Sequence, residues 1–406
     1  MDLIENRARR VLVVGLGISG IATALRLHGI GWTPVVVEKA PARRSGGYFI
    51  GLFGAGKTAA ERLGLLDGVH DRTTPGTHFD IDRDGNRRQG LSFKDFPGDV
   101  WLMLRGDVER AAFAKLPPEV EVRYSTVPTK IEQDADGVDV TLTNSADGTV
   151  ATERFDLVVG TDGLRSTVRS LVFGPHEKYL HRLNFMIAAF EFTGVPAGLE
   201  KGDGATLLEP GRSMWVFPFS DHDPTVLLSY RTDDVDAEFT ASPAERIRAR
   251  YGPEPLGRTL DDVVAAMEST DELLFDSVEQ VRMDSWHRGR VVLVGDAAWC
   301  VTLYAGMGAS SGLAGAQLLG TMLARHPDDL ERALTEWEAG LRPYIDYYQK
   351  DGIKKQTFFT PDNRFQVGMR RALTVLNGRR VVGAPFRWWS AHNKAARMNG
   401  ADITRA

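Results

Sequence analysis

Cysteine is almost absent from this chain. Cys300 is the single one among 406 residues, which excludes an intrachain disulfide and any cysteine-cluster metal site. The nine histidines are scattered and show no H-x-x-x-H spacing, so no zinc signature is present and no metal is expected. No Ser-His-Asp set and no paired carboxylates stand at a recognisable spacing, and no side chain is nominated as catalytic. Positive charge is not in excess: a net charge of −5 and a pI near 6.0 give no electrostatic reason to expect nucleic acid. MDLIENRARR, at the start, lacks the apolar centre of a signal peptide, which predicts a cytoplasmic protein. Long uncharged runs are missing too, with one exception at residues 297–324. Gly306, Gly308, Gly312, Gly315 and Gly320 interrupt that run, and it follows directly on a strand ending in Asp, so stable membrane insertion is not expected.

What the chain does contain is a connected set of signals at residues 9–39, RRVLVVGLGISGIATALRLHGIGWTPVVVEK. An apolar run at 11–14 suits a parallel strand buried on both faces. Gly15, Gly17 and Gly20 follow at the spacing G-x-G-x-x-G, then a helical pattern through Ile21, Ala24, Leu25 and Leu27. A second apolar run at 35–37 closes on Glu38. Gly15 permits a tight turn, Gly17 lets backbone approach a pyrophosphate, and Gly20 lets helix and strand pack closely. The helix start then offers unpaired N–H groups to phosphate, and Glu38 stands where an acid accepts from a ribose hydroxyl. Strand, glycines, helix, strand and acid in this order predict a dinucleotide site.

The length suits two domains sharing a site, or one with an insertion. Residues 43–52 read as a Gly-turned loop entering a strand, with a helix at 59–65. Arg43 and Arg44 are either solvated loop charges or contacts to phosphate or ribose. Residues 77–90 predict a hairpin turned at Asp84-Gly85-Asn86. A strand at 100–104 ends at Arg105, a plausible anion contact ahead of a helix at 107–116. Strands at 120–124 and 138–143 are expected to pair, and 154–159 to form one more. That last strand enters GTDGLRSTVR, where Asp162-Gly163 turns the chain and Ser166 can cap a helix.

Residues 184–193, 205–208, 213–219 and 225–231 alternate and are rich in β-formers, predicting an antiparallel sheet inserted into the nucleotide-binding part. Its inward faces are expected to include Phe190, Phe192, Met214 or Trp215, and Phe217. Two helices follow, at 243–251 and 260–269. A second signature spans 290–320, RVVLVGDAAWCVTLYAGMGASSGLAGAQLLG. There a buried strand at 291–294 ends in Asp296, at the strand end where α/β ligands bind. Beyond it Gly306 and Gly308 precede a small-residue helix whose backbone can lie against a flat polar ring. Cys300 reads as a small buried residue. An apolar stripe from Leu330 to Tyr348 predicts a helix, 351–361 a connector, and 363–406 further helices bearing Phe386, Trp388 and Trp389.

With these signatures in order, the chain resembles the single-component FAD-dependent monooxygenases of the para-hydroxybenzoate hydroxylase type. It is similar in length and C-terminal addition to their antibiotic-modifying, tetracycline-inactivating branch. The residues that carry the resemblance are GLGISG with Glu38, Arg105, GTDGLRSTVR, and VGDAA followed by AGMGASSG. It implies an α/β fold: a discontinuous Rossmann-like FAD-binding domain (1–75, 98–180 and 280–325), an inserted antiparallel β-sheet substrate domain (76–97 and 181–279), and a C-terminal helical region (326–406). FAD would be held by Gly15, Gly17, Ile18, Ser19, Gly20, Glu38, Lys39 and Arg44 at its ADP half. Arg105, Asp162 and Asp296 would contact it further along, with Gly306, Gly308 and Ala309 beside the isoalloxazine.

The implied activity uses NAD(P)H as a transient reductant and O2. One oxygen atom passes through a flavin C4a-hydroperoxide to a hydrophobic aromatic or polycyclic small molecule, by hydroxylation or Baeyer–Villiger insertion. The flavin drives the chemistry, which fits the lack of a catalytic side-chain set. Met214, Trp215, Phe217, Pro218 and Tyr304 are expected to line the substrate pocket of a monomer or homodimer. The chain departs from the family where a histidine and two prolines usually follow the GD motif: Trp299, Thr302 and Leu303 stand there. Met307 and Ser310 replace a usual glutamine and asparagine. That departure motivates the alternative of a cyclase, isomerase or ligand-binding protein whose FAD is structural.

Overall fold

The computed structural model describes residues 9–43, 46–91, 100–378 and 394–404. Arg44, residues 1–8 and the segment with Phe386, Trp388 and Trp389 lie outside the described residues.

The first apolar run forms β1 (Arg10–Val14), buried from Val11 onward. β2 (Thr33–Val37) and β11 (Leu157–Gly160) flank it, both parallel. β7 (Glu121–Arg123) extends the sheet beyond β2, and β18 (Val291–Leu293) beyond β11, again parallel, while β17 (His287–Arg288) closes one edge antiparallel. The order is β17-β18-β11-β1-β2-β7. Successive strands thus leave β1 in one direction and then return on its other side. The crevice between β1 and β11, at their carboxyl ends, is the switch point where open α/β sheets bind ligands.

α1 (Ile18–His28) follows β1. α2 (Gly54–Arg62) and α3 (Arg105–Ala114) follow a two-stranded antiparallel pair, β3 (Phe49–Leu52) and β6 (Trp101–Leu104) respectively. β8 (Thr126–Gln133), β9 (Val138–Asn144) and β10 (Val150–Phe155) form a separate antiparallel sheet, and α4 (Thr167–Val172) follows β11.

A seven-stranded sheet carries, in order, β16 (Leu274–Val281), β12 (Leu180–Glu191), β15 (Thr225–Arg231), β14 (Arg212–Phe217), β13 (Gly204–Glu209), β4 (His78–Ile81) and β5 (Arg87–Gln89). It is antiparallel except where β13 meets β4. The chain passes through α5 (Val235–Glu238), α6 (Pro243–Tyr251) and α7 (Arg258–Ser269). Pro243 sits in the first turn of α6, where its missing N–H costs nothing, and Ser242 and Glu245 close a reciprocal capping box.

Strand alternation divides this sheet into two faces. Met186, Ala188, Phe190, Met214, Val216 and Leu228 pack on Ile247 and Tyr251 of α6 and on Leu260, Val263 and Val264 of α7. Phe185, Ile187, Ala189, Trp215, Phe217 and Leu227 form the opposite face, joined by Tyr304 and Phe359. The chain ends in α8 (Asp296–Trp299), α9 (Gly308–Arg325), α10 (Leu330–Phe359), α11 (Arg364–Gly378) and α12 (Lys394–Gly400). Among the described residues, no helix is long and apolar enough to cross a membrane.

Several expectations need correction. The strands at 120–124 and 138–143 do not pair with each other: β7 joins the parallel sheet through β2, and β9 sits between β8 and β10. The stretch 154–159 is two strands in two sheets. Asp156 separates them, accepting the Arg10 N–H at 2.7 Å on its carboxylate and giving its own N–H to the Arg10 carbonyl at 2.8 Å. Phe190, Phe192 and Met214 face the helices rather than the side shared by Trp215 and Phe217. The expected connector at 351–361 is helical as far as Phe359. Gly352 there answers a close approach: a Cβ would lie 2.9 Å from the Val301 carbonyl and 3.0 Å from the Thr302 hydroxyl.

Candidate functional site

At Gly15 the backbone takes φ +104°, and a Cβ would meet the Thr161 carbonyl at 2.8 Å. A Cβ on Gly20 would fall 1.9 Å from the Gly15 carbonyl and 2.7 Å from the Thr161 hydroxyl. β1, α1 and the turn after β11 therefore touch backbone to backbone. Gly17 is the N-cap of α1 and supplies no side-chain cap, so the first N–H groups of Ile18, Ser19 and Gly20 are open to an anion. The Glu38 carboxylate lies beneath this turn, accepting the Leu16 N–H at 2.8 Å and the Ala40 N–H at 2.9 Å. Lys39 beside it is exposed. Arg43 lies 4.7 Å over the ring of Phe113.

A second uncapped helix start meets the first. Gly295, at φ +71°, and Gly312 each leave room that Ser19 fills: a Cβ on either would lie 2.4 Å from the Ser19 hydroxyl oxygen. This interlock holds the beginning of α9 against the beginning of α1. Gly308 opens α9 with Asp296 4.0 Å from where its Cβ would be, Ala309 is half-buried, and Met307 gives no side-chain cap. Gly306 takes φ +70°, with the Phe53 ring 3.3 Å from a Cβ there.

Around this junction stand Arg105, Asp296, Tyr48 and Asp162. The Arg105 guanidinium pairs with Glu109 at 2.7 Å and lies 3.4 Å from a Cβ placed on Gly17. Burial pulls its pKa down, but Tyr48, Glu109, Asp296 and Glu38 outweigh that, and it stays charged. Burial raises the Asp296 carboxyl, while Arg105 and Cys300 pull it back. Burial also raises the Tyr48 hydroxyl against the pull of Arg105, and burial beside the Asp296 carboxylate lifts the Cys300 thiol well above its ordinary value. That thiol donates to the Glu279 carbonyl at 3.5 Å, a protonated, unreactive sulfur. Asp296 nonetheless keeps open surface, as do Tyr48 and Arg105. Side chains that are surrounded by protein yet reached by solvent line a deep, narrow cleft. A polar cavity of about 260 Å³ beside Gly46, Gly47 and Gly106 adjoins it without reaching the Gly15 turn.

Asp162 spends one carboxylate oxygen on the start of α4, accepting the Thr167 N–H at 2.6 Å and the Val168 N–H at 3.1 Å. Its other oxygen, Oδ1, is buried with no partner, and burial raises its pKa. Replacing Asp162 by alanine is expected to lower the unfolding free energy by about 1 kcal/mol through loss of the cap. Denaturant titration of the flavin-free protein measures it, and an unchanged midpoint would show that Ser166 caps α4 alone.

On the substrate-facing side the expected residues divide. Trp215, Phe217 and Tyr304 share one face, whereas Met214 is fully buried on the other. Neighbours on a strand point to opposite faces, so Met214 and Trp215 cannot line one wall. Pro218 borders a small cavity of about 40 Å³ with Phe49, His78, Leu102 and Phe217. Tyr304 is sealed beneath the sheet, 3.1 Å from the Ser229 hydroxyl. Tyr48 was not foreseen: it follows the glycine loop with no motif of its own. Trp299, in the departing loop, is buried against Trp286 and Trp337, ring centroids 4.7 and 5.9 Å away. Its indole N–H reaches the Ser311 hydroxyl at 3.2 Å.

Two bare helix starts, an acid under the glycine turn, an orphaned Asp162 oxygen and a cationic Arg105 gather at one cleft, a set whose chemistry suits the charged diphosphate of a dinucleotide. The family model described as FAD binding domain matches residues 8–329, and the chain belongs to that family. A flavin-dependent monooxygenase of Legionella longbeachae is 28% identical over 351 residues, 85% of this chain and 88% of that protein. An uncharacterized protein of Mycobacterium tuberculosis is 30% identical over 356 residues, 84% of this chain and 92% of the other. Among solved structures, the tetracycline destructase Tet(55) superposes with TM-score 0.76 at 24% identity, covering 95% of this chain and 98% of its own. Klebsiella pneumoniae HpxO complexed with FAD and uric acid gives 0.75 at 18% identity over 98% of this chain and 99% of its own. The protein is an FAD-dependent monooxygenase.

Proposed function

We propose that the cleft holds FAD with its ADP half on Gly15, Gly17, Ile18, Ser19, Gly20, Glu38 and Lys39. Arg105 and Asp162 would lie along the diphosphate and ribitol, and Asp296, Gly306, Gly308 and Ala309 nearer the ring. The meeting of the α1 and α9 starts across Ser19 carries this reading. When bound, the flavin supplies the redox and oxygen chemistry. Arg105 neutralises diphosphate charge, the bare N–H groups of both helices receive anionic oxygens, and the aromatic face excludes water from the substrate. NAD(P)H docks transiently as the reductant.

The substrate in this reading is a hydrophobic aromatic or polycyclic molecule lying against Trp215, Phe217 and Pro218. One oxygen atom from O2 enters it, by hydroxylation or by insertion beside a ketone. The enzyme works in the cytoplasm as a monomer or homodimer. A panel of such compounds, offered to the FAD-loaded protein, is expected to contain members that raise NAD(P)H consumption at least about tenfold. Mass spectrometry should find product heavier by one oxygen. The altered loop with Trp299, Thr302, Leu303 and Met307 keeps a second reading in view, a structural flavin. Turnover without oxygen or NAD(P)H would establish that reading and overturn the first.

A further inference from the structure

α11 touches the body of the protein with one side only. Val367, Arg370 and Thr374, at i, i+3 and i+7, are buried, and the Arg370 guanidinium lies 4.9 Å from the centroid of Trp215. The entry to the helix is tied down as well. Asp362 pairs with Arg231 of β15 at 2.7 Å, the Pro361 carbonyl accepts the Gly211 N–H at 2.7 Å, and the Asn363 side chain accepts the Gln366 N–H at 3.0 Å. These anchors fix which way the opposite side points. With about 100° of turn per residue, that side carries Phe365, Gly368, Met369 and Ala372, and all four are exposed.

Phe365 is 79% exposed and Met369 51%. Elsewhere among the described residues, large exposed apolar side chains stand singly: Val150 on β10, Leu171 on α4, Val195 after β12 and Phe239 just past α5. Single ones are ordinary on a protein surface. Two of them one turn apart, on the outward side of an anchored helix, make a stripe. Arg364 and Arg371, two turns apart, border it. Both are exposed, and neither makes a hydrogen bond or ion pair among the described residues. The charge of this end of the chain also opposes that of the rest. Residues 363–406 hold nine arginines and lysines against one acid, Asp402, in a protein whose net charge is −5.

We infer that the outer side of α11 docks on an anionic lipid bilayer, with Phe365 and Met369 entering beneath the headgroups and Arg364 and Arg371 meeting lipid phosphates. A helix that lies in the plane of the interface combines these two parts, an apolar strip and basic residues beside it. The negative surface potential of an anionic leaflet attracts the basic end and leaves the acidic remainder in water. A second copy of the chain suits the same side poorly. A two-fold contact places a surface against itself, which would set Arg364, Arg371 and the basic end against their own duplicates. The docking does not depend on the oxygenation chemistry. With the substrate proposed above, it sets the Trp215 end of the aromatic face over the phase in which an apolar molecule dissolves.

The test floats the FAD-loaded full chain with vesicles of phosphatidylcholine alone, or mixed with an equal part of phosphatidylglycerol. At low salt, at least about tenfold more protein is expected on the mixed vesicles, and added NaCl should reduce that amount by screening the arginines. Phe365→Ser combined with Met369→Ser should remove at least about nine-tenths of the bound protein. Flavin content and melting temperature should stay at wild-type values, because both side chains already face water. Arg364→Gln with Arg371→Gln should cut the preference for mixed vesicles at least about threefold. Val150→Ser, at a comparably exposed apolar position on another element, should bind as wild type does. Binding to neither vesicle, equal binding to both, or binding that the Phe365 and Met369 substitutions leave unchanged would overturn the proposal. A concentration-dependent dimer lost in that double variant, with no vesicle binding, would overturn it too and make the stripe a contact between copies. Vesicle binding is read without turnover, so each of these failures leaves the monooxygenase reading untouched.

Discussion

Gly20→Val yields a protein that purifies without flavin. The Cβ of valine would have to occupy a point 1.9 Å from the Gly15 carbonyl and 2.7 Å from the Thr161 hydroxyl. One of these contacts is backbone, in a strand-to-helix turn that is itself packed on the turn after β11. Relief requires α1 to move away from β1, which carries its bare N–H groups away from Glu38 and from the start of α9. Overpacking of this kind costs about 1–3 kcal/mol, occasionally more. If most of that appears as lost cofactor binding, FAD affinity falls by about 100-fold. Equilibrium dialysis against FAD measures the loss. Gly29→Ala, at the other end of α1, is the control. Its backbone is already right-handed at φ −62° and its Cβ would find only ordinary contact at 3.4 Å, so flavin content should match wild type. Full occupancy in Gly20→Val would mean that the glycine turn is not the ADP cradle.

The second large effect concerns Trp337→Ala. Trp337 is fully buried, donates its indole N–H to the Gly315 carbonyl at 2.9 Å, and touches Trp286 and Trp299 edge-on or tilted at 5.8 and 5.9 Å. Truncation leaves a cavity beside the two remaining rings, Trp286 and Trp299, and an unpaired carbonyl in α9. The loss of stability is expected at about 3–5 kcal/mol. Urea titration of the flavin-free protein measures it, with Trp337→Phe restoring the ring but not the hydrogen bond. Because Trp299 ends the short helix that begins at Asp296, the same variant should also release flavin faster. A loss below that of an ordinary surface substitution would show that the cluster repacks freely. Trp299 would then not be a fixed support for the cleft.

The nucleotide-binding half was readable because its requirements are local. A valine run, three spaced glycines and an acid sit within a few dozen residues, and at Gly15 and Gly20 close backbone contact tolerates no larger residue. The inserted sheet was readable as strands but not as faces. Alternation says that Met214 and Trp215 part company; it does not say which of them meets α6 and α7. β8 and β16 were missed because Thr126–Gln133 and Leu274–Val281 mix charged and apolar residues without clean alternation. The helix past Tyr348 was not legible because Gly352, which close packing on Val301 and Thr302 requires, has the same letter as a glycine that ends a helix. Tyr48 carries no spacing signal. Its surroundings, Arg105 and Asp296 among them, come from elements far apart in the chain, and only folding brings them together.

Ser19 belongs to the first helix of the chain, whereas Gly295 and Gly312 arrive only in its last third. Until both glycines have left the ribosome, the first helix has its own turn but nothing to close against, and a nascent chain can present only half a receptacle. With FAD seated as proposed, cofactor capture is therefore expected late in biosynthesis. A chain terminated before Gly312 would keep the fingerprint of a nucleotide-binding protein while lacking the means to retain the nucleotide.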